Sequence, residues 1–351
     1  MKAHNALVAQ GRSFDQARTV LRQHYQHIVI HDFLKRIADP AIVEDILTKG
    51  PKAFNPDDAH FFMPLEFSVA AYRFGHSMIR AVYDFDLNFR PASLDLLFTF
   101  TALSGGIGGF DTLPENWIIE WENFLDVGRP FARTHSFDTL LVEPLAQLPG
   151  ITGATLPGRM ARLAVRNLLR GYLLRLPTGQ AAAAALGLTP LTGQQLSDAA
   201  GNPNQRTALH AGGFEDRTPL WYYILAEAAH GGGNRLGPLG SIIVADVLIG
   251  LVRRSEDSIL NYPNWAPSLP ASQPGTFTLT DLLAFAGVIN VAPPPPPPGP
   301  TYTVQPGDSL ASIAADELGD ESRWPEIFAL NRNQITDPDL IFPGQILTLP
   351  T

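Results

Sequence analysis

Apolar residues recur at helical spacing through the first part of the chain. Ser13 and Gln16 form a capping-box pattern, and an apolar residue follows every three or four positions after them. This pattern predicts a helix from Phe14 to about Ile37. The spacing at 65–83, 159–176, 220–229 and 241–254 predicts further helices. No strand alternation of comparable length accompanies them, so the predicted fold class is mainly α.

A proline run separates this helical part from a smaller module. The segment VAPPPPPPGP contains six consecutive prolines, which favour an extended polyproline II spacer over a helix or sheet. We therefore predict a helical domain at 1–290, a linker at 291–301 and a small domain at 302–351. The pattern of the small domain predicts the order strand, helix, helix, strand, that is, βααβ.

Composition narrows the classes of partner and metal site. The 351 residues carry a net charge of -9 and no cysteine. The negative charge argues against nucleic-acid binding, which requires a basic surface, and the absence of cysteine excludes disulfides and thiolate metal sites. The N-terminus lacks the apolar stretch of a secretion signal. No apolar run reaches the roughly 18 residues of a membrane span.

The stretch YRFGHSMIR places a histidine and an arginine three residues apart in an otherwise apolar segment. On a helix, Arg73 and His76 would share one face, and Gly75 would leave room for a flat group near the backbone. An imidazole with a nearby guanidinium suits haem, since the ring nitrogen ligates iron and the arginine pairs with a propionate. Spacing alone favours the other reading, a buried histidine held by hydrogen bonds.

A family resemblance changes this balance. The segments KAHNALV, ARTVLRQHYQHIVIHDFLKRI, FSVAAYRFGHSMI, TPLWYYILAEA and LGPLGSIIVADVLIGLV occur in that order. With them, residues 1 to about 290 resemble the C-terminal two thirds of an animal-type haem peroxidase domain. The resemblance is to the peroxidase–cyclooxygenase superfamily in its bacterial form. It implies a helical domain that binds haem b.

The resemblance also implies roles for four residues. His76 falls where the family has the axial ligand of the haem iron, and Arg73 where it has a propionate partner. Asn167 falls where an asparagine accepts a hydrogen bond from the other ring nitrogen of that histidine, and Arg170 where an arginine-rich motif begins. This last segment departs from the family pattern, so a solvated helix face remains the alternative for Asn167.

The family's distal machinery precedes the point at which this chain resembles it. The distal histidine, the distal arginine and the calcium loop have no counterpart in this sequence, so no catalytic residue is identified and calcium binding is not expected. General acid–base help of this kind typically contributes about 10²- to 10⁴-fold to rate. Three explanations fit: a sequence that starts late, a partner chain that supplies the distal half, or a domain that has lost peroxidase chemistry.

Other residue clusters favour structural roles. His24, His27 and His31 lie along one flank of the predicted helix, where they could bind a metal or simply pack; packing is favoured. Asp84 and Asp86 are favoured as loop hydrogen-bond acceptors over a catalytic pair. The glycine-rich stretch SGGIGGF, at 104–110, has neither the preceding strand nor the third glycine that a dinucleotide-binding loop requires.

The small domain resembles a LysM domain over its whole length, from TYTVQPGDS to PGQILTLP. The resemblance implies a groove between the loop after the first strand and the loop after the second helix. It assigns glycan contacts to six residues: Asp308, Ser309, Leu310, Asn331, Asn333 and Ile335. Peptidoglycan or a chitin-like glycan is the implied ligand. A contact in a protein assembly and a plain stabilising cap are the alternatives.

Together these features predict an oxidoreductase that reduces hydrogen peroxide, oxidises a small organic donor and is localised by its LysM domain. A link to oxidative stress in bacteria follows from that activity. The alternative is a binding or structural protein with an incomplete peroxidase fold, whose LysM domain does the binding. LysM favours an extracellular or cell-envelope location, and a cytoplasmic one stays open.

Overall fold

The computed structural model describes residues 1–55, 62–103, 117–128, 131–148, 158–290, 300–332, 335 and 337–350. The chain forms two compact units, Met1–Val291 and Ala292–Thr351. The stretch SGGIGGF, Asn333 and the proline run at 291–299 lie outside the described residues. Among the described residues, no helix has the length and apolar composition needed to cross a bilayer.

Helices dominate the first unit. They are α1 (Lys2–Ala9), α2 (Phe14–His27), α3 (Lys35–Ile37), α4 (Pro40–Lys49), α5 (Gly75–Met78), α6 (Leu94–Leu103), α7 (Leu163–Leu173), α8 (Gly179–Ala185), α9 (Gly193–Asp198), α10 (Pro203–Ala211), α11 (Leu220–His230), α12 (Pro238–Arg253) and α13 (Leu279–Phe285). The strands β1 (Val82–Tyr83) and β2 (Ala92–Ser93) pair antiparallel, with Val82 opposite Ser93. The predicted mainly α fold class is confirmed.

The first long helix begins where the capping box places it. The Ser13 amide donates to Gln16 Oε1 at 2.9 Å, and the Gln16 amide donates to Ser13 Oγ at 3.2 Å. After α2 the chain continues through a π-helical segment at Ile28–Leu34 into α3. The predicted helix over 14–37 is thus present, with a π-helical middle.

The helix predicted at 65–83 is shorter and irregular. A π-helical segment, Glu66–Ala70, leads through a 3₁₀ turn, Ala71–Arg73, into α5, which ends at Met78. The carbonyl of Met78 accepts the amide of His135 at 3.1 Å, and the next residues lead into the pairing of β1 with β2. Tertiary hydrogen bonds therefore replace the helical ones that the spacing predicted.

The centre of the first unit is built on α11 and α12, which are buried on nearly all sides. Helix α8 reaches α11 closely at Gly179, where an added Cβ would lie 1.9 Å from the ring of Tyr223. Helix α7 and the 3₁₀ turn Ala71–Arg73 also contact α11. The segments that carry Arg73, Asn167 and Arg170 are thus held against one buried helix.

The second unit consists of β3 (Thr301–Thr303), α14 (Leu310–Leu318), a 3₁₀ turn at Glu321–Arg323, α15 (Trp324–Leu330) and β4 (Ile346–Thr348). β3 and β4 pair antiparallel, with Tyr302 opposite Leu347. This is the predicted βααβ order. Its small core contains these buried side chains: Val304, Leu310, Ile313, Ala314, Ile327, Ile335, Leu347 and Leu349.

Candidate functional site

The structure brings His76 and Asn167 into direct contact. His76 lies in α5 and is partly buried, while Asn167 lies in α7 with only 1% of its surface exposed. His76 Nδ1 is 2.8 Å from Asn167 Nδ2, across 91 positions of sequence. A buried side-chain amide therefore orients the imidazole through one of its two ring nitrogens.

Arg73 extends this contact into a series of three hydrogen-bonded side chains. Its Nη1 donates to Asn167 Oδ1 at 2.8 Å, and its Nε donates to the Ser68 carbonyl at 3.1 Å. The indole Nε1 of Trp221 donates to the Arg73 carbonyl at 3.2 Å. Arg73, Asn167 and His76 are thus joined in order, with Trp221 of α11 fixing the backbone at Arg73.

The direction of the amide differs from the sequence expectation, in which Asn167 accepts from His76. A guanidinium has only donors, so the amide oxygen must face Arg73 and the amide nitrogen must face His76. With this arrangement Asn167 donates to Nδ1, and a neutral imidazole carries its proton on Nε2. Ligation of a metal through Nε2 would require the opposite tautomer, and hence a turn of the Asn167 amide.

The described residues of this cluster carry positive charge. Burial, and to a smaller extent the charge on Arg73, lowers the pKa of His76, which favours the neutral ring. Burial also lowers the pKa of Arg73, followed by the influence of Arg170. Among the described residues, no carboxylate forms an ion pair with Arg73 or Arg170. The cluster offers one neutral ligand and two cations.

These properties fit haem. His76 Nε2 has no hydrogen-bond partner among the described residues, and a Cβ added at Gly75 would meet nothing within 4 Å. The imidazole has an available nitrogen, the neighbouring backbone leaves open space, and the two guanidiniums suit the two propionates of haem. The one adjustment that the fit needs is the turn of the Asn167 amide.

The histidines of α2 and the segment after it form a different kind of cluster. His24 Nδ1 lies 2.7 Å from the Val20 carbonyl, and its Nε2 accepts the amides of Ser268 and Leu269 at 2.9 and 3.1 Å. Both ring nitrogens are therefore used by backbone. The rings of His27 and His31 are 4.5 Å apart. No metal-binding group of three or more acidic or histidine side chains occurs within the described ranges.

Asp84 and Asp86 belong to a turn. Asp86 Oδ1 accepts the amides of Asn88 and Phe89 at 2.8 and 3.0 Å, and Asp84 Oδ2 lies 3.7 Å from Arg90 Nε. These contacts order the loop between β1 and β2.

In the second unit, two of the predicted groove residues lie in the loop after β3. Asp308 Oδ2 accepts the Tyr302 hydroxyl at 2.9 Å and the Gln305 amide at 2.7 Å. Ser309 is exposed and caps α14 through the amide of Ser312 at 3.1 Å. Leu310 and Ile335 are each only 2% exposed. Their side chains belong to the small core of the unit.

Asn331, which the resemblance assigns to the groove, has a buried side chain. Its side chain is 1% exposed, its Nδ2 donates to the carbonyls of Ile327 and Thr348 at 2.7 and 2.8 Å, and its Oδ1 accepts the Thr348 amide at 2.9 Å. The amide thereby closes the outer edge of β4 at Thr348. Both ends of this amide are therefore bound to backbone.

Three buried side chains that sequence reasoning missed support the first unit. Besides Trp221, Glu227 accepts the amides of Leu239 and Gly240 at the start of α12, and burial raises its pKa to about 7. Asp246 accepts the amides of Lys52, Ala53 and Phe54. A single acidic residue within an otherwise apolar helix was the signal that could have revealed both carboxylates.

Comparisons with known proteins match two separate parts of the chain. Residues 1–100 match the family model described as Animal haem peroxidase, and residues 302–350 match that of the LysM domain. The first match contains Arg73 and His76 and ends before Asn167 and Arg170.

Two curated relatives each align over 49 residues, 14% of this chain. One is an uncharacterized protein of Deinococcus radiodurans, 49% identical over 19% of its length. The other is the Potassium binding protein Kbp of Escherichia coli, 39% identical over 33% of its length. The chain thus spans about a fifth and a third of these relatives.

Proposed function

We propose that the first unit binds haem b and acts as a peroxidase-like oxidoreductase. His76 ligates the iron through Nε2, Arg73 and Arg170 pair with the propionates, and Asn167 positions the imidazole. The observation that carries the proposal is the hydrogen-bonded chain from Arg73 through Asn167 to His76. Asn167 is more than 90 positions from the other two residues, and Arg73 and His76 lie in the haem peroxidase match.

The hydrogen bonds from Arg73 through Asn167 to His76 would link the residues that hold haem. With Arg73 paired to a propionate, the Asn167 amide would be able to turn and accept from His76 Nδ1. His76 would then carry its proton on Nδ1 and have Nε2 available as an iron ligand. When bound, haem supplies the redox chemistry by which hydrogen peroxide is reduced and a small organic donor is oxidised.

The test is the absorption spectrum of the full chain titrated with haemin. We expect a Soret band that saturates with one haemin per chain and is lost in His76→Ala. His210→Ala is the matched control, because His210 is an exposed histidine of the same unit. A band of equal strength in all three proteins would mean that haemin adsorbs without His76, and the proposal would fail.

Addition of hydrogen peroxide then separates an enzyme from a haem-binding half-site. A shift of the Soret band that reverses when an organic donor is added supports peroxidase activity. Bleaching without a shift supports haem binding alone, with the distal function provided elsewhere or lost. The second result would retain His76 as the ligand and remove the oxidoreductase part of the proposal.

We also propose that the LysM domain binds peptidoglycan or a chitin-like glycan at the loop that contains Asp308 and Ser309. The test is co-sedimentation of the chain with peptidoglycan and with chitin. Asp308→Ala should weaken binding, and Asp316→Ala, an exposed acidic residue of α14, should not. Because one relative is named for potassium binding, the assay should be run in both sodium and potassium buffers. Equal retention of all variants would contradict the site.

A further inference from the structure

Helix α7 exposes an unusual number of apolar side chains. Tyr172 and Leu173 are 79% and 74% exposed, and Leu169 is 38% exposed. Leu174, the residue after the helix, is 40% exposed. The spacing of Leu169, Tyr172 and Leu173 places them on one face, and that face is opposite Asn167, since each residue advances about 100° around a helix. One side of α7 thus serves the interior, and the other side presents an apolar patch.

Charge around this patch contrasts with the rest of the chain. The net charge of the protein is -9, yet the sequence from Glu143 to Asp198 contains no acidic residue between these two and has five arginines. Arg162 and Arg175 are exposed, and no described carboxylate forms an ion pair with them. As far as the structure describes it, the outer surface of α7 therefore combines apolar side chains with positive charge.

We propose that this outer surface of α7 docks on the surface of an anionic lipid bilayer. Interfacial helices combine leucine and aromatic side chains, which enter the acyl boundary, with arginines that contact anionic headgroups. Helix α7 has 11 residues, which suits a helix lying on a bilayer rather than one crossing it. The contact does not depend on haem.

The positive charge favours an anionic lipid surface over two other partners, a second copy of this chain and nucleic acid. A second copy of this chain would bring the same arginines against one another across a symmetric contact, where like charges repel. Nucleic acid would pair with the arginines but leave Tyr172 and Leu173 without an apolar environment. A bilayer with anionic headgroups satisfies both parts of the surface at once.

The test is co-sedimentation of the full chain with vesicles of phosphatidylcholine alone and of phosphatidylcholine with phosphatidylglycerol. We expect binding to the anionic vesicles that weakens as salt is raised. The double variant Tyr172→Ser, Leu173→Ser and the double variant Arg162→Gln, Arg175→Gln should each reduce that binding about tenfold or more. Both variants change exposed side chains, so their circular dichroism melting curves should stay close to that of the unchanged protein.

The matched control is Leu87→Ser. Leu87 is 77% exposed and directly follows Asp86, far along the chain from α7, so this variant should bind the vesicles unchanged. Equal binding to neutral and anionic vesicles, or the same loss in Leu87→Ser, would overturn the proposal. So would the absence of vesicle binding together with a concentration-dependent dimer that the Tyr172→Ser, Leu173→Ser variant abolishes, because α7 would then be a contact between copies.

Discussion

Two buried asparagines, one in each unit, show how the same side chain can serve a site or a fold. Asn167 and Asn331 are each 1% exposed. Asn167 bonds to two side chains, Arg73 and His76, whereas Asn331 bonds to the backbone of Ile327 and Thr348. An amide held by side chains can turn when one of them gains another partner. An amide held by backbone at both ends cannot turn without loss of the fold.

Two histidines repeat this contrast within the first unit. His24 uses both ring nitrogens on backbone groups, at Val20, Ser268 and Leu269. His76 has only the Asn167 amide at one nitrogen and leaves the other free of described partners. The partner of a buried polar group, more than its burial, therefore separates a candidate ligand from a structural residue.

The strongest test of the comparison is Asn331→Ala. It leaves the Thr348 amide and two carbonyls without their partner, and buried unsatisfied groups each cost about 1–3 kcal/mol. We expect the free energy of unfolding of the second unit to fall by about 3 kcal/mol, as measured by hydrogen exchange of its peptides. Gln305→Ala, which removes one exposed bond to the Thr303 carbonyl, should change that free energy by less than about 0.5 kcal/mol. An equally small effect of Asn331→Ala would break the comparison.

The matching variant in the first unit is Asn167→Leu, which removes the side-chain amide but keeps a side chain of similar volume. We expect haemin affinity to fall about 10- to 100-fold, as is typical when the partner of a ligating histidine is lost, while stability changes little. A haemin titration and a urea unfolding curve of the same variant measure the two effects. If stability fell as far as in Asn331→Ala and affinity did not change, Asn167 would be a structural residue and not part of a site.

The fold was largely predictable because helical periodicity and capping are local. The capping box at Ser13, the buried helices α11 and α12 and the βααβ order all follow from spacing. The break after Met78 was not predictable, because its carbonyl is taken by the amide of His135. A long-range hydrogen bond of this kind leaves no periodic signal in the sequence.

The residues of the candidate site were predictable from the sequence, but the directions of the hydrogen bonds between them were not. The resemblance pointed to Arg73, His76 and Asn167, and the structure joins them. Arg73 holds the Asn167 amide with its nitrogen towards His76. Residue spacing could not predict this orientation, because it depends on a contact between side chains 94 positions apart. The inward place of Asn331 was missed for the same reason, because its partner Thr348 lies on another element.

The third prediction concerns the pH dependence of stability that the histidines of α2 cause. Burial, followed by the charges of His31 and His24, lowers the pKa of His27 to about 4, and burial lowers that of His24. An unfolded histidine has a pKa near 6.5, so the unfolded state binds more protons below that pH. Stability is complete above about pH 6.5 and is lost as pH falls towards 4.

Urea unfolding curves at pH 7 and pH 5 measure this loss, which we expect to be about 1 kcal/mol or more after allowance for solvent screening. His27→Gln should reduce the difference between the two curves, whatever its effect at pH 7. His210→Gln, at an exposed position, should leave it unchanged. A pH dependence that His27→Gln leaves intact would place the titrating group elsewhere.

The smallest expected effect is on stability and concerns the end of α7, the helix that carries Asn167. It tests whether the first unit can be stabilised without a change in haemin affinity. Arg175 has φ 54°, and Gly187 has φ 70° after α8. The hydrogen bonds match: Leu176 donates to the Gly171 carbonyl and Leu188 to the Ala183 carbonyl, each five residues back. The same helix-ending motif thus has a strained arginine in one case and glycine in the other.

Arg175→Gly should raise the free energy of unfolding of the first unit by about 0.5–1 kcal/mol, and Gly187→Ala should lower it by a similar amount. A Cβ at Gly187 would meet nothing within 4 Å, so only backbone conformation changes there. Urea unfolding measures both, and haemin affinity should stay constant in both. If Arg175→Gly altered haemin affinity as Asn167→Leu does, the end of α7 would be coupled to the site, and the amide of Asn167 would be set by the whole helix rather than by Arg73 and His76.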